Sequence, residues 1–452
     1  MNEKQEMALP PPLTVSHQAR PWYFTCRHTY EETLMEEIHR YDETLLSSKS
    51  CSSPFPGIVR VEPVGGGNTL FESDSDTPYD PVYALQSMPN AVIVSAASIK
   101  GLAREVYSAL LPEEENEKPK NSASVPNLDL RMALRQAPRG SLALHALVPG
   151  MGKGQTDPVM LRRSTTIAST LADMLKKEFG AARKAKMELS EDDSDNNSKD
   201  DDTMIKERYL LQMLLLTPEV VAASLTQCHY RPLLGTWPNW QLPAGLADAD
   251  VEGTDIPSSA YRKLLEALDC MGCHPTSSTT VVDLGASPGG WTAVLRRLGC
   301  RVIAVDRSEL APNLMKDRGV EFVKGDAFTF EPPPKKYAEE SRWMVSDIIA
   351  YPDKIQELLE QWCGGHWASH LVVTVKFQGE MPNWEDLDKC IQIAESHGYE
   401  CRAKHFFNNK HEVTLMAVER SLVEDTSTFS IEQRNKSDIL GKSIYPVTLP
   451  VK

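Results

Sequence analysis

The segment Val282-Asp283-Leu284-Gly285-Ala286-Ser287-Pro288-Gly289-Gly290-Trp291 constrains this chain more than any other. Thr280–Leu284 reads as a short apolar strand, 285–290 as a turn and 291–298 as the start of a helix. Glycines there let backbone come close to a ligand where a Cβ would collide. In an open α/β sheet such a turn lies at the carboxyl end of the first strand, where ligands bind. The spacing is Gly-x-x-x-Gly-Gly, not the Gly-x-Gly-x-x-Gly of dinucleotide sites, and no Lys-Ser/Thr follows to hold a phosphate. From Pro257 onward strands and helices alternate, which predicts a mostly parallel, Rossmann-like α/β sheet with helices on both faces.

The next strand, 301–305, ends in Asp306, whose carboxylate can accept both hydroxyls of an adenosine ribose. A third strand leads to Lys324-Gly325-Asp326, where Asp326 can approach an adenine amino group; taken singly it also reads as a turn residue. Acids at two successive strand ends beside a Gly-Gly turn form the pattern of an S-adenosylmethionine pocket, with NAD as the main rival. Gly285, Ser287, Pro288, Gly289, Gly290, Trp291, Asp306, Asp326 and Asp347 are the candidate cofactor contacts.

Asp347 ends a fourth strand and is followed by Ile348-Ile349-Ala350. Amino-group methylases place an Asp/Asn-Pro-Pro-aromatic motif here, so this sequence argues for an oxygen acceptor. Lys376 ends a fifth apolar strand, Glu412 opens a late one, and Lys263 lies on a helix predicted over 259–268. A ribose 2′-hydroxyl is a poor nucleophile at neutral pH. A lysine can accept its proton only if its own pKa is lowered, as burial and a neighbouring cation do. The working assignment makes Lys376 the general base, Asp347 its positioner, and Lys263 and Glu412 the second cation and second acid. No metal is required.

These residues carry a resemblance. The stretch 209–420 resembles the FtsJ-type ribosomal RNA 2′-O-methyltransferases, whose Lys-Asp-Lys-Glu tetrad matches Lys263, Asp347, Lys376 and Glu412. It is most similar to the bacterial M-type group, which methylates a cytidine ribose in large-subunit rRNA. The carrying segments are 257–264, 282–291, 343–347 and 412–414. The resemblance implies a class I S-adenosylmethionine-dependent methyltransferase domain preceded by ferredoxin-like and THUMP-like α/β modules. Ser259 and Ala260 stand where the M-type motif has Arg and Ser, with Arg262 nearby to replace the charge; Ser287 stands where cysteine is usual; and Phe377-Gln378-Gly379-Glu380 replaces a basic stretch. These departures touch RNA docking more than methyl transfer. A cap or tRNA 2′-O-methyltransferase shares the tetrad and is the rival within the class; a non-catalytic RNA-binding ribosome-assembly factor is the rival outside it.

At 452 residues the chain predicts two or three domains. The expected division is a ferredoxin-like module at 20–112, a basic THUMP-like module at 125–187, an acidic disordered linker at 188–206, a hairpin and connector at 207–256, the methyltransferase domain at 257–420 and an extension at 421–452. The net charge of −15 argues against nucleic acid until its distribution is seen. Residues 131–186 carry eleven Lys/Arg against three acids, whereas 188–202 carry eight acids against one lysine. A basic module followed by an acidic tether suits an RNA partner, although solvated surfaces read the same way. No apolar run reaches membrane-span length, so no membrane partner is expected. The N-terminus lacks secretory or transit character, which predicts a cytoplasmic address ahead of a nuclear or organellar one.

Two signals stand outside this scheme. Cys270-Met271-Gly272-Cys273-His274 matches a c-type haem attachment pattern, yet neither export nor a haem pocket is visible, and zinc would need a second ligand pair. Ordinary thiols in a helix-end loop are the expectation, with a redox pair as the alternative. Trp237-Pro238-Asn239-Trp240 reads equally as a base-stacking pair and as a packing anchor.

Overall fold

The computed structural model describes residues 20–41, 51–62, 79–112, 126–137, 141–151, 156–179, 208–240, 242–247, 256–334, 342–379 and 381–424. The expected acidic linker 188–206 and the extension beyond 424 lie outside the described residues.

The first unit contains β1 (Trp22–Thr25), α1 (Glu31–Tyr41), β2 (Cys51–Phe55), β3 (Ile58–Val61) and β4 (Gln86–Met88). The strands form an antiparallel sheet in the order β2-β3-β1-β4. Leu34 and Ile38, one helical turn apart on α1, are fully buried beneath it. The second unit contains β5 (Val92–Ser95), α2 (Ile99–Leu110), α3 (Pro126–Gln136), β6 (Leu142–Leu147), α4 (Pro158–Glu178), β7 (Arg208–Thr217), β8 (Val220–Arg231) and β9 (Gly235–Trp237). Its sheet runs β5-β8-β7-β6, with β9 on the continuation of β8. Asp157 caps α4 by accepting from Val159 N at 2.8 Å, and Pro158 follows at the first helical position. Leu102 and Val106 of α2 meet Ile167 and Leu171 of α4 over β7. Thus β5 and α2, expected in the first module, pair with the long hairpin instead, and a boundary at 112 does not follow the sheets.

The third unit contains α5 (Tyr261–Met271), β10 (Thr280–Leu284), α6 (Gly290–Arg297), β11 (Arg301–Asp306), α7 (Pro312–Met315), β12 (Val320–Lys324), β13 (Arg342–Ser346), α8 (Pro352–Gly364), β14 (His370–Lys376), α9 (Trp384–Ser396), β15 (Tyr399–Lys404), β16 (Glu412–Glu419) and α10 (Arg420–Glu424). Seven strands lie in the order β12-β11-β10-β13-β14-β16-β15, and β16 alone runs antiparallel to its neighbours. The central strands are apolar on both faces because both are covered. Leu264, Leu268 and Val294 of α5 and α6 cover one face. Leu358, Leu359 and Leu387 of α8 and α9 cover the other, in a core that also takes in Leu34 and Ile38.

The first and third units are locked together by buried charge. Arg402 Nε donates to Asp80 Oδ2 at 2.8 Å, and the Lys404 ammonium binds Oδ1 of the same carboxylate. Arg402 Nη1 also donates to Leu234 O at 2.7 Å, and Lys404 Nζ to Pro81 O at 2.7 Å and Ala84 O at 3.0 Å. Burial alone would raise the Asp80 carboxyl; Arg402 and Lys404 overcome that and hold it below the usual carboxylate value. Gly235 fits this join because a Cβ there would lie 1.9 Å from Cys270 O.

Candidate active site

Strand register assembles the site. Lys376 is the last residue of β14, and Glu412 is the first of β16 and its register partner. Antiparallel partners project to one face, so amine and carboxylate meet by construction. Asp347 directly follows β13, the neighbour of β14. Lys263 comes from α5, whose buried face carries two charged residues. Lys263 turns to the carboxylates, and Glu266 accepts from Asn408 N at 3.1 Å.

The four expected residues form one connected network. Lys263 Nζ donates to Asp347 Oδ1 at 2.6 Å and to Glu412 Oε1 at 3.0 Å. Lys376 Nζ lies 3.1 Å from Asp347 Oδ1 and 3.9 Å from Glu412 Oε2, and donates to Asp347 O at 2.8 Å. Thr374 Oγ1, two residues before Lys376 on the same face, donates to Asp347 Oδ1 at 2.8 Å. The Lys263 and Glu412 side chains are each 9 % exposed, while the Lys376 side chain keeps 20 %. Lys263 is therefore the enclosed cation that holds the two acids, and Lys376 is the amine that opens outward.

The loop feeding Glu412 is held from both sides. Asn409 Oδ1 accepts from Phe406 N at 2.7 Å, and Asn409 Nδ2 donates to Thr414 Oγ1 at 3.2 Å. From the first unit, the Arg27 guanidinium donates to Asn409 O, and Tyr30 OH donates to Lys410 O at 2.7 Å. Nothing in the sequence pattern signals these two contacts, because Arg27 lies 382 positions from its partner.

The glycine turn stands beside this network. Gly285 and Gly289 have φ of 74° and 109°, which favours glycine at both positions. A Cβ on Gly290 would lie 2.3 Å from Ser258 Oγ, so the segment holding Ser259 and Ala260 packs directly on the turn. Asp306 accepts from Ser287 N at 3.0 Å and from Ser308 N at 2.8 Å, which fixes its carboxylate at the end of β11. The Ser287 hydroxyl donates to Glu309 O, and the Ser287–Pro288 peptide is cis. Asp326 is held by Arg307 at 2.7 Å and by Phe328 N at 3.0 Å. Trp291, expected among the cofactor contacts, has its indole buried and donating to Ala260 O at 2.8 Å. Its side chain ties α6 to α5 beneath the turn.

A further acid emerges from the fold. Asp283 is buried, accepts from Thr292 Oγ1 at 2.6 Å, and is pushed up to about 7 by burial, with Asp347 adding to the rise. Its position near the end of the first strand was the available signal; its pairing with Thr292 on α6 was not visible. Arg262, expected to replace a lost docking charge, lies over the Tyr261 ring at 5.3 Å.

Residues 256–372 match the model of the FtsJ-like methyltransferase family. The chain carries an FtsJ-like methyltransferase domain. It is 34 % identical over 166 residues to the ribosomal RNA large subunit methyltransferase M of Halorhodospira halophila, covering 36 % of this chain and 47 % of that protein. Proteins of the same description from Marinomonas sp. and Pasteurella multocida are 32 % and 31 % identical over 171 and 180 residues, covering 35 % and 37 % of this chain and 47 % and 48 % of theirs. The chain spans about half the length of the curated relatives it matches.

The methyl donor of the FtsJ-like domain is S-adenosylmethionine, and the residues present fit it. Two carboxylates, Asp306 and Asp326, stand at the ends of adjacent strands and can accept from hydroxyl or amino groups, beside a turn whose glycines admit close backbone approach. Gly325 N donates to Asp306 O at 3.0 Å, and a Cβ on Gly325 would meet nothing within 4 Å.

The signals outside the scheme resolve into packing. Cys270 is a buried thiol and Cys273 a half-buried one, the second pushed up to about 12 by desolvation, and no metal-competent cluster of His, Cys, Asp or Glu occurs among the described residues. Trp237 is buried against Trp22, and Trp240 Nε1 donates to Tyr209 O while Arg208 covers its ring. No helix among the described residues is long and apolar enough to cross a membrane. Part of the basic excess is structural: Arg131 and Arg135 both bind Glu178, and Arg163 donates to Pro218 O.

Proposed function

We propose that the protein transfers a methyl group to a ribose 2′-hydroxyl of RNA, with large-subunit ribosomal RNA as the substrate. The observation that carries this reading is the single network joining Lys263, Asp347, Lys376 and Glu412. Two amines and two carboxylates serve an oxygen acceptor, because they can take a proton and stabilise alkoxide charge. The relatives described as large-subunit rRNA methyltransferases support the RNA class and the ribosomal target. The sheet order of the first unit supports a ferredoxin-like module, and the hairpin unit supports a THUMP-like one that docks RNA.

When bound, S-adenosylmethionine supplies an electrophilic methyl carbon on a sulfonium. Lys376, the more open amine, accepts the proton of the attacking hydroxyl. Asp347 positions Lys376 through both its carboxylate and its carbonyl oxygen. Lys263 holds Asp347 and Glu412 in place and balances their charge. Base catalysis of this kind contributes roughly a hundred- to ten-thousandfold, and in-line positioning supplies much of the rest.

Calorimetry and a methyl-transfer assay on wild type and Lys376→Ala test the assignment. Retained S-adenosylmethionine binding with lost transfer is expected; full activity in the variant would refute the base. Mapping ribose methylation in cells lacking the protein tests the substrate. Loss of a mark on tRNA or cap with rRNA unchanged would overturn the ribosomal target, and no lost mark at all would favour a non-catalytic assembly role.

A further inference from the structure

We infer that Ile349 and Tyr351 form a platform on which an unpaired nucleobase of the substrate RNA stacks. This deepens the RNA reading above and rests on it. From Ile348 to Pro352 the chain alternates between packed and exposed side chains. Ile348 packs on Gly285, where a Cβ would lie 3.0 Å from its own, and Ala350 packs on the main core. Ile349, between those two, is 91 % exposed, and Tyr351, after Ala350, is 61 % exposed. Single exposed apolar residues need no explanation. Two of them, two and four positions from a carboxylate of the tetrad, do.

The backbone of the platform is anchored at both ends. Ser346 Oγ, just before Asp347, donates to Leu284 O at 3.1 Å. Tyr351 is the N-cap of α8, and buried Pro352 follows at its first position. Aromatic contact area held this way costs little ordering entropy on binding.

The chemistry selects the occupant. No lysine or arginine lies between Asp347 and Asp353, and Lys354 Nζ is 2.7 Å from Glu357, so the loop offers little to phosphate. It offers an aromatic face and a branched aliphatic side chain, which suit the flat face of a base. A ribose presented to Lys376 brings its own base and its neighbours to this edge of the site. A base within a duplex has both faces covered, so the platform selects unpaired RNA. It also supplies, at position 351, the aromatic residue missing from 348–350.

The test uses the full-length protein with S-adenosylhomocysteine present and a single-stranded oligouridylate carrying one 2-aminopurine. Wild type is expected to quench the probe fluorescence and to bind it roughly 5- to 150-fold tighter than Tyr351→Ala, the range of one base–aromatic stack. Tyr351→Phe should restore both quenching and affinity, and Ile349→Ser should weaken both. Calorimetric S-adenosylhomocysteine affinity, unchanged in all three variants, controls for folding. Absence of quenching by wild type, equal binding by Tyr351→Ala, or failure of Tyr351→Phe to restore would each overturn the platform. Lys376→Ala separates the two readings, because it should quench fully while transferring no methyl group. Full transfer by that variant, with quenching still dependent on Tyr351, would remove the base and leave the platform.

Discussion

Replacing Asp80 by asparagine should break the join between the first and third units. Asp80 faces two cations whose side chains are only 6 % (Arg402) and 4 % (Lys404) exposed. Removing one partner of a buried ion pair typically costs about 3–5 kcal/mol, because charge is left buried without compensation. Here the lower end applies, since Arg402 keeps Leu234 O and Lys404 keeps Pro81 O and Ala84 O as acceptors. A loss of about 3 kcal/mol corresponds to a change of roughly 150-fold in the folding equilibrium. Urea titration followed by tryptophan fluorescence reads it as a lowered midpoint at constant slope. Adding Lys404→Met removes one stranded cation, so the double variant should recover at least about 1 kcal/mol relative to additivity. A cost below about 1 kcal/mol for Asp80→Asn, or strict additivity in the pair, would refute the reasoning. The same carboxyl sets a pH dependence. Its folded value lies below the ordinary 3.8, so its stabilisation is complete above that pH and is lost as pH falls through the folded value. Asp80→Asn should lack that acid limb.

Asp283 works in the opposite sense. Its folded value near 7 means the folded state holds a proton that the unfolded state has lost, so stability falls as pH rises from about 4 to about 7. Asp283→Asn should flatten that limb in thermal melts recorded across this range, and an unchanged profile would contradict the buried acid. Gly289→Ala should cost roughly 1–2 kcal/mol for its left-handed backbone, with the added Cβ 2.3 Å from Leu314 Cδ1. Urea midpoints and S-adenosylmethionine calorimetry would both register it. Thr374→Val removes one donor to Asp347, so kcat should fall while calorimetric cofactor affinity holds; an unaltered kcat would show that Thr374 does not position the acid.

Local chemistry made the site largely legible and the packing between units largely illegible. Strand-ending charges such as Asp306, Asp347 and Lys376 announce themselves, because an apolar run that stops at a charged residue leaves that residue at a sheet edge. The turn at 285–290 is equally local. In contrast, β2 escapes pattern reading, because Cys51-Ser52-Ser53-Pro54-Phe55 has no apolar alternation; it forms as an edge strand by pairing with β3. The short polar β4 also escapes pattern reading. It is secured by Gln86 Nε2 donating to Asn239 O across 153 positions. The membership of β5 turned on its pairing with β8, and the role of Trp237 on a neighbouring sheet; neither is encoded nearby. The helical turn carries the Trp291 indole inward, an orientation that its adjacency to the glycines does not encode.

The grip of Arg27 and Tyr30 on the 409–410 carbonyls has a temporal meaning. During synthesis the two residues emerge long before the backbone they are to hold. Until that late segment arrives and docks, Glu412 has no fixed approach to Lys263. In a nascent or half-assembled chain the two amines and two carboxylates therefore stand apart, and competence arrives only as the two distant parts of the polypeptide close on one another.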